Sequence, residues 1–213
     1  MGARAWTAAG MIMWDERYRG ADYVYGTAPN DFLAARIQAL NGALPAAGRV
    51  LCLGEGEGRN AVWLAEQGLD VTAVDASGVG LAKARRLAAE RGVAIETIHT
   101  DLAVYPIAPD AWDMVVAIFC HLPPALRADV HRRSVAGLRS GGFLLLEAYT
   151  PRQLALGTGG PPTAALMMDA DSLRAELMGL EFLHLEELER DIQEGALHAG
   201  LGAVVQVLGR KPR

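Results

Sequence analysis

The stretch Arg49-Val-Leu-Cys-Leu-Gly54-Glu-Gly56-Glu-Gly58-Arg-Asn60 constrains this chain more than any other. Val50 to Leu53 is an apolar run of strand length, Gly54, Gly56 and Gly58 follow at alternate positions, and Asn60 to Gln67 reads as a helix closed by Gly68. Strand, glycine loop and helix in that order form a turn that can cradle a nucleotide. Glycine lets the backbone approach a ligand closely, and the helix N-terminus presents unpaired N–H groups. Val71 to Asp75 reads as a second strand ending in an acid, and a carboxylate there can accept both hydroxyls of a ribose.

Spacing narrows the choice of nucleotide. A dinucleotide fingerprint, G-x-G-x-x-G, would put its third glycine at position 59, which is Arg59. Glu55 and Glu57 lie inside the loop, poor company for a pyrophosphate but useful beside a cation. A sulfonium with an α-amino group is such a ligand. The loop resembles the first motif of the class I S-adenosylmethionine-dependent methyltransferases, where G-x-G-x-G is the usual form. That resemblance implies S-adenosyl-L-methionine as cofactor.

The chain has 213 residues, 51% hydrophobic and 21% charged, enough to bury a full core as one domain. A net charge of −5 argues against nucleic acid as a partner, because phosphate binding normally needs a basic face. No run approaches the length of a membrane span, so no membrane partner is expected. The two cysteines, Cys52 and Cys120, sit in apolar strand-like runs and read as buried free thiols of a cytoplasmic protein. Metal-ligand spacing is lacking, so no metal is expected.

Residues 1–13 carry no signal-peptide pattern and are expected to be an incidental or disordered extension, with residues 14–213 forming the domain. Residues 14–33 hold one Trp, four Tyr or Phe rings and a Pro-Asn pair, in a chain only 6% aromatic. They are expected either to pack on the core or to cap the cofactor, whose sulfonium would meet the rings of Trp14, Tyr18 and Tyr25. Trp-x-x-x-Tyr, then Tyr-Gly-x-x-Pro-Asn-x-Phe-Leu, then the loop with Gly-Arg-Asn, resembles the tellurite-resistance and thiopurine methyltransferase-like branch. In that branch the N-terminal segment caps the active site. Asn30 or Asp31 is the expected cap of a helix through Phe32 to Leu40.

Further helices are expected over Val79 to Arg91, Leu126 to Leu138 and Ser172 to Met178, the last capped by Asp169 or Asp171. Strands are expected over Val93 to Ile98, within Ala111 to Pro124 together with an exit loop, and over Phe143 to Pro151, Phe182 to Ile192 and Leu201 to Gly209, with Arg139 to Gly142 a turn. The last two strands form a terminal hairpin. The resulting class is α/β: a single-domain Rossmann-like class I methyltransferase fold, whose seven-stranded, mostly parallel sheet ends in an antiparallel hairpin. Residues 151–168, rich in Gly and Pro, are expected to be a flexible loop, either a lid on the substrate side or an inert surface connection.

In open α/β sheets ligands bind beyond the carboxyl ends of the strands, where strand order reverses. The resemblance therefore implies cofactor contacts from Trp14, Tyr25, Gly54, Glu55, Gly56, Gly58, Asn60, Asp75, Ala76, Asp101, Leu102, Phe119 and Cys120. Asp101 would face the adenine amino group, although an Asp after a strand can equally be a turn former. His121, Tyr18, Tyr25 and Tyr149 are expected around the methyl group. His121 is either structural or a proton acceptor, since its ring titrates near neutrality.

The resemblance covers roughly residues 14 to 210 and departs at one position. The family usually places an acid two residues before Gly54, where this chain has Cys52, so Glu55 or Glu57 would have to compensate. The expected reaction is methyl transfer to a small-molecule acceptor, with a soft sulfur, selenium or tellurium nucleophile first and a small oxygen or nitrogen acceptor second. A non-catalytic adenosyl-ligand-binding protein is the rival from another class. A monomer or homodimer is expected.

Overall fold

Four apolar residues in succession make β1 (Arg49–Leu53) a strand buried on both faces, as the centre of a parallel sheet requires. The computed structural model describes residues 13–40, 42–195 and 198–213. The expectation for the N-terminal extension therefore falls almost wholly outside the described residues.

Beside β1 lie β2 (Asp70–Asp75), β3 (Glu96–His99), β4 (Trp112–Ile118), β5 (Leu138–Tyr149), β6 (Glu181–Gln193) and β7 (Ala199–Arg210). The sheet order is β3-β2-β1-β4-β5-β7-β6. β1 to β5 pair in parallel, while β7 runs antiparallel to both β5 and β6. The sheet and its C-terminal hairpin are those read from the sequence. Strand β6, at the sheet edge, carries Glu181, Glu186, Glu187, Glu189 and Arg190, charges that discourage pairing with another chain.

Residues 13–18 are helical (α1), followed by α2 (Asp31–Ala39), α3 (Arg59–Glu66), α4 (Gly78–Glu90), α5 (Pro124–Gly137), α6 (Gln153–Leu156) and α7 (Ala170–Glu176). Two apolar clusters hold them to the sheet. Phe32 and Leu33 of α2, Ala61 and Leu64 of α3 and Leu81 of α4 pack with Val50, Cys52, Met114 and Leu145 on one face. Val130 of α5 and Leu173 of α7 pack with Leu51, Val115, Leu144 and Leu146 on the other. Successive strand residues thus serve opposite layers, which is the period-2 logic of a sheet covered on both sides.

Three local expectations need correction. Arg139 to Gly142 is the bulged start of β5, where pairing shifts between Trp112 and Met114. Strand β3 is short and begins only at Glu96. Residues 151–168 are no free loop: α6 and a 3₁₀ turn (Ala164–Leu166) lie within them. Buried Gln153 pins the segment by accepting Ala203 N–H at 2.8 Å and donating to Thr158 Oγ1 at 2.9 Å.

Candidate functional site

A cleft of about 580 Å³ opens where β1 and β4 part, at the reversal of strand order. Gly54 turns at its floor with φ +62°, and a Cβ there would lie 2.8 Å from Cys120 Sγ. Only glycine meets both demands.

Glu55 folds back over the start of α3, where its Oε1 accepts the Asn60 and Ala61 N–H groups at 3.0 and 2.9 Å. It thereby caps a helix whose N-cap, Gly58, has no side chain to do so. Burial pushes its carboxyl up to about 7, against the pull of those N–H groups and of Arg59. Burial also raises the Cys52 thiol, with the Glu55 carboxylate against it. Of the two loop acids, Glu55 supplies the carboxylate beside Cys52.

Glu57 has a different task. Its Oε1 pairs with Lys83 Nζ at 2.7 Å, and its Oε2 accepts the Val24 N–H at 2.8 Å. Lys83 also donates to the Asp22 carbonyl at 2.7 Å. This buried pair clamps residues 22–25 over the glycine loop. The clamp brings Tyr25 to Trp14 and Tyr18, with Trp14 and Tyr18 stacked at 5.5 Å between centroids. The N-terminal aromatics therefore both pack and line the cleft.

Asp75 ends β2 with its carboxylate in the cleft, where Oδ2 accepts Gly56 N–H at 2.8 Å and Oδ1 accepts Ser77 N–H at 2.7 Å. A carboxylate has about four acceptor sites, so two remain for a ligand's hydroxyls. Ala76, Asp101 and Leu102 extend the same wall. Asp101 also accepts the Ala103 N–H at 2.8 Å, so both the turn and the ligand readings of that residue fit.

Two expected ligand contacts fall elsewhere. Gly58 faces α4, where a Cβ would meet Ala84 Cα at 2.6 Å, and it serves helix packing. Gly56 lies under the Tyr18 hydroxyl, which a Cβ would meet at 2.6 Å. Neither lines the cleft.

The opposite wall follows β4 and β5. Phe119 holds φ +51°, a conformation rare for a bulky side chain and one that concentrates at functional sites. Its ring meets Tyr149 at 4.7 Å and His198 at 4.6 Å. Cys120 lines the wall with its thiol pushed up to about 12 by burial and by Asp75. His121 lies there too, but its Nδ1 is 2.9 Å from the Leu166 carbonyl and its Nε2 receives the Tyr149 N–H at 3.4 Å. Burial pushes the ring down to about 4. With both nitrogens engaged, His121 positions the β4 exit and is not free as a proton acceptor, contrary to the second of its two expected roles.

Three cleft residues escaped the sequence. Arg17 donates to the Tyr25 hydroxyl at 3.0 Å. Arg59 pairs with Glu194 at 2.5 Å, and His198 stands among Tyr25, Phe119 and Tyr149. Arg59 was visible as a break in a glycine pattern and as the centre of the Gly-Arg-Asn triplet, neither of which gave it a role in the cleft. His198 lay in an apparent hairpin turn, 138 positions beyond Asn60, with nothing local to mark it.

Positive-φ glycine, the acids Glu55, Asp75 and Asp101, and the rings at the mouth fit a cationic nucleoside. Among the described residues, no group of three or more His, Cys, Asp or Glu is placed to hold a metal. No described helix is long and apolar enough to cross a membrane.

Residues 50–142 match a family described as a methyltransferase domain. No curated protein matches the sequence significantly. Solved structures do match. One, from work on conversion of a disulfide bond into a thioacetal group during echinomycin biosynthesis, is 20% identical over 95% of this chain and 92% of its own, with a TM-score of 0.75. TehB from Haemophilus influenzae is 18% identical over 94% of this chain and 66% of its own, at 0.69. An S-adenosylmethionine-dependent methyltransferase from Methanosarcina mazei is 18% identical over 82% and 97%, at 0.60. At these identities the likeness shows the fold. The domain match over residues 50–142 supports an enzyme of methyl transfer.

Proposed function

We propose that this protein methylates a small acceptor through a soft sulfur, selenium or tellurium nucleophile. The observation that carries the choice is the engagement of His121. Its ring nitrogens face the Leu166 carbonyl and the Tyr149 N–H, and burial keeps it neutral far below pH 7. A hydroxyl or amine acceptor would need a base there, whereas a thiolate-like nucleophile ionises near neutrality and needs little help. The structural neighbour whose work concerns a thioacetal handles sulfur, and that chemistry is carried over here as part of the proposal.

When bound, the cofactor supplies a methyl group on a sulfonium that leaves as a neutral thioether. The chain contributes alignment. Asp75, Asp101 and Leu102 would hold the adenosyl end, Glu55 the amino end, and Trp14, Tyr18 and Tyr25 would keep water out. Alignment of this kind can supply ~7–11 kcal/mol of the barrier in favourable cases. A monomer or homodimer acting on small molecules in the cytoplasm completes the proposal.

The test is a calorimetric titration with S-adenosylhomocysteine, with NAD alongside, followed by a turnover screen of thiols, phenols and amines. Micromolar binding of the first ligand alone, and faster turnover of thiols, is the expected result. Binding of neither would remove the cofactor assignment. Methylation of phenols but not thiols would move the acceptor to oxygen.

A further inference from the structure

Two polar atoms of cleft-lining residues, Arg59 Nη1 and His198 Nδ1, are buried and have no hydrogen-bond partner among the described residues. Leaving such groups unpaired is costly, more so where the group is charged, so two of them on residues that line one cleft call for an explanation. Arg59 is 7% exposed and His198 9%. The other guanidinium nitrogen of Arg59 is committed to Glu194, and that pairing fixes the direction in which Nη1 faces.

Behind these atoms lies a closed charge network. Glu147 receives Arg190 Nε and Nη2 at 2.9 and 2.7 Å, Asn30 Nδ2 at 2.6 Å and Gln206 Nε2 at 2.6 Å. Glu194 receives Arg59, Arg190 and Asn30. Two carboxylates therefore balance two guanidinium groups, leaving no spare negative charge to satisfy Nη1. His198 Nδ1 stands 3.9 Å from Glu194, too far for a hydrogen bond. In front of the pair, the rings of Tyr25 and Phe119 come within 4.5 and 4.6 Å of the His198 ring centroid, and Tyr149 within 5.6 Å.

We infer that Arg59 and His198 form a carboxylate-binding corner for the methyl acceptor, which would then be a small, flat, anionic molecule. This rests on the methyl-transfer reading above. His198 stands with the Phe119 and Tyr149 rings at the exits of β4 and β5, and Arg59, the first residue of α3, is turned toward the terminal hairpin by its pairing with Glu194. An unpaired guanidinium N–H and an imidazole that can add a proton suit an anion, and the three rings suit an aromatic body. The acids Glu55, Asp75 and Asp101 suit the cofactor's cationic end, and the unpaired Arg59 and His198 atoms suit an anion instead.

His198 is surrounded by Glu194, Arg59, Arg17, His121 and the Tyr25 and Tyr149 rings. Burial lowers its pKa below the ordinary 6.5 despite Glu194. A bound anion favours the protonated ring, so binding takes up a proton and strengthens as pH falls towards 6.

The probe pair is benzoate and benzamide, titrated into the protein saturated with S-adenosylhomocysteine. Benzoate is expected to bind at least about tenfold more tightly, as a charge-assisted hydrogen bond allows. Arg59→Lys can keep the pairing with Glu194 while removing Nη1, and it should erase the preference with S-adenosylhomocysteine affinity within about twofold. His198→Gln should weaken benzoate and abolish the pH dependence; this variant decides the matter should Arg59→Lys not fold. Equal binding of benzoate and benzamide overturns the proposal. So does a loss of S-adenosylhomocysteine affinity in Arg59→Lys with 5′-methylthioadenosine affinity unchanged, because Arg59 would then hold the cofactor's own carboxylate. Failure of S-adenosylhomocysteine to bind the wild-type protein sinks the methyl-transfer reading instead, and is seen before either probe is added.

Discussion

Asn30 donates its side-chain amide to Glu147 at 2.6 Å, across 117 positions of sequence. The same amide nitrogen donates to Glu194 at 2.8 Å, while its oxygen accepts Leu33 N–H and caps α2. One residue thus joins the N-terminal cap, the central sheet and the terminal hairpin. Asn30→Ala removes a helix cap and strips donors from two buried carboxylates, a combined loss on the order of 2–4 kcal/mol. Asn30→Asp, which sets a third carboxylate beside them, should be worse at neutral pH. Urea denaturation measures both. A loss below about 0.5 kcal/mol for the alanine variant would show that water takes over the amide's role.

Gly58 and Gly68 both have positive φ, at +95° and +83°, but differ in surroundings. A Cβ at Gly58 would lie 2.6 Å from both Ala84 Cα and Ala84 Cβ, whereas one at Gly68 would meet nothing within 4 Å. Gly58→Ala should therefore cost about 2–4 kcal/mol, conformational strain plus overpacking, and Gly68→Ala only about 1 kcal/mol. Thermal unfolding of the pair separates the terms. Equal losses would mean that α4 yields without resistance.

The parts of the site legible in sequence were the local ones. Asp75 ends a strand and Gly54, Asp101 and Phe119 each come just after one, and strand-then-loop patterns are carried by a few adjacent residues. The double role of Asn30 was hidden because its cap is local and its carboxylate partners are not. Likewise Glu147 announced itself as a lone acid in an apolar strand, but Arg190 and Gln206 reach it only through the hairpin's antiparallel return, and Asn30 only from the N-terminal cap. The exchange of tasks between Glu55 and Glu57 was also invisible. It is decided by which carboxylate faces the α3 N-terminus and which faces Lys83, and alternate positions in a glycine turn have no fixed facing. Gly58 illustrates the reverse error: a residue inside a ligand motif that serves packing.

Glu176 on α7 accepts Arg127 of α5 through Nε and Nη2, at 2.7 to 3.1 Å, and His131 Nδ1 at 2.7 Å. Although burial alone would raise it, these partners hold its carboxyl at about 2, below the ordinary 4.5. The unfolded chain therefore binds the proton first, and the contribution of Glu176 to stability is complete above pH 4.5 and lost as pH falls through about 2. Melting temperature should drop across that window in the wild type and less steeply in Glu176→Gln. Parallel slopes would mean that other carboxylates dominate acid unfolding.

Glu55 has the opposite sign. Burial raises its folded-state pKa to about 7 from an ordinary 4.5, so in that interval the folded protein holds a proton that the unfolded chain releases. Stability from this group is full below pH 4.5 and declines as pH rises through about 7. A ligand ammonium against the carboxylate favours its charged form and draws the proton off. S-adenosylhomocysteine binding at pH 6.5 should therefore release protons, in proportion to the fraction of Glu55 still protonated. Calorimetric titrations in two buffers of different ionisation enthalpy measure that release directly. Glu55→Gln should bind more weakly and release none, and its affinity should lack the rise with pH expected between 6 and 8 in the wild type. If the variant released as many protons as the wild type, the ammonium would lie against another group, and Asp75, whose carboxyl burial also raises, would be the next to exchange.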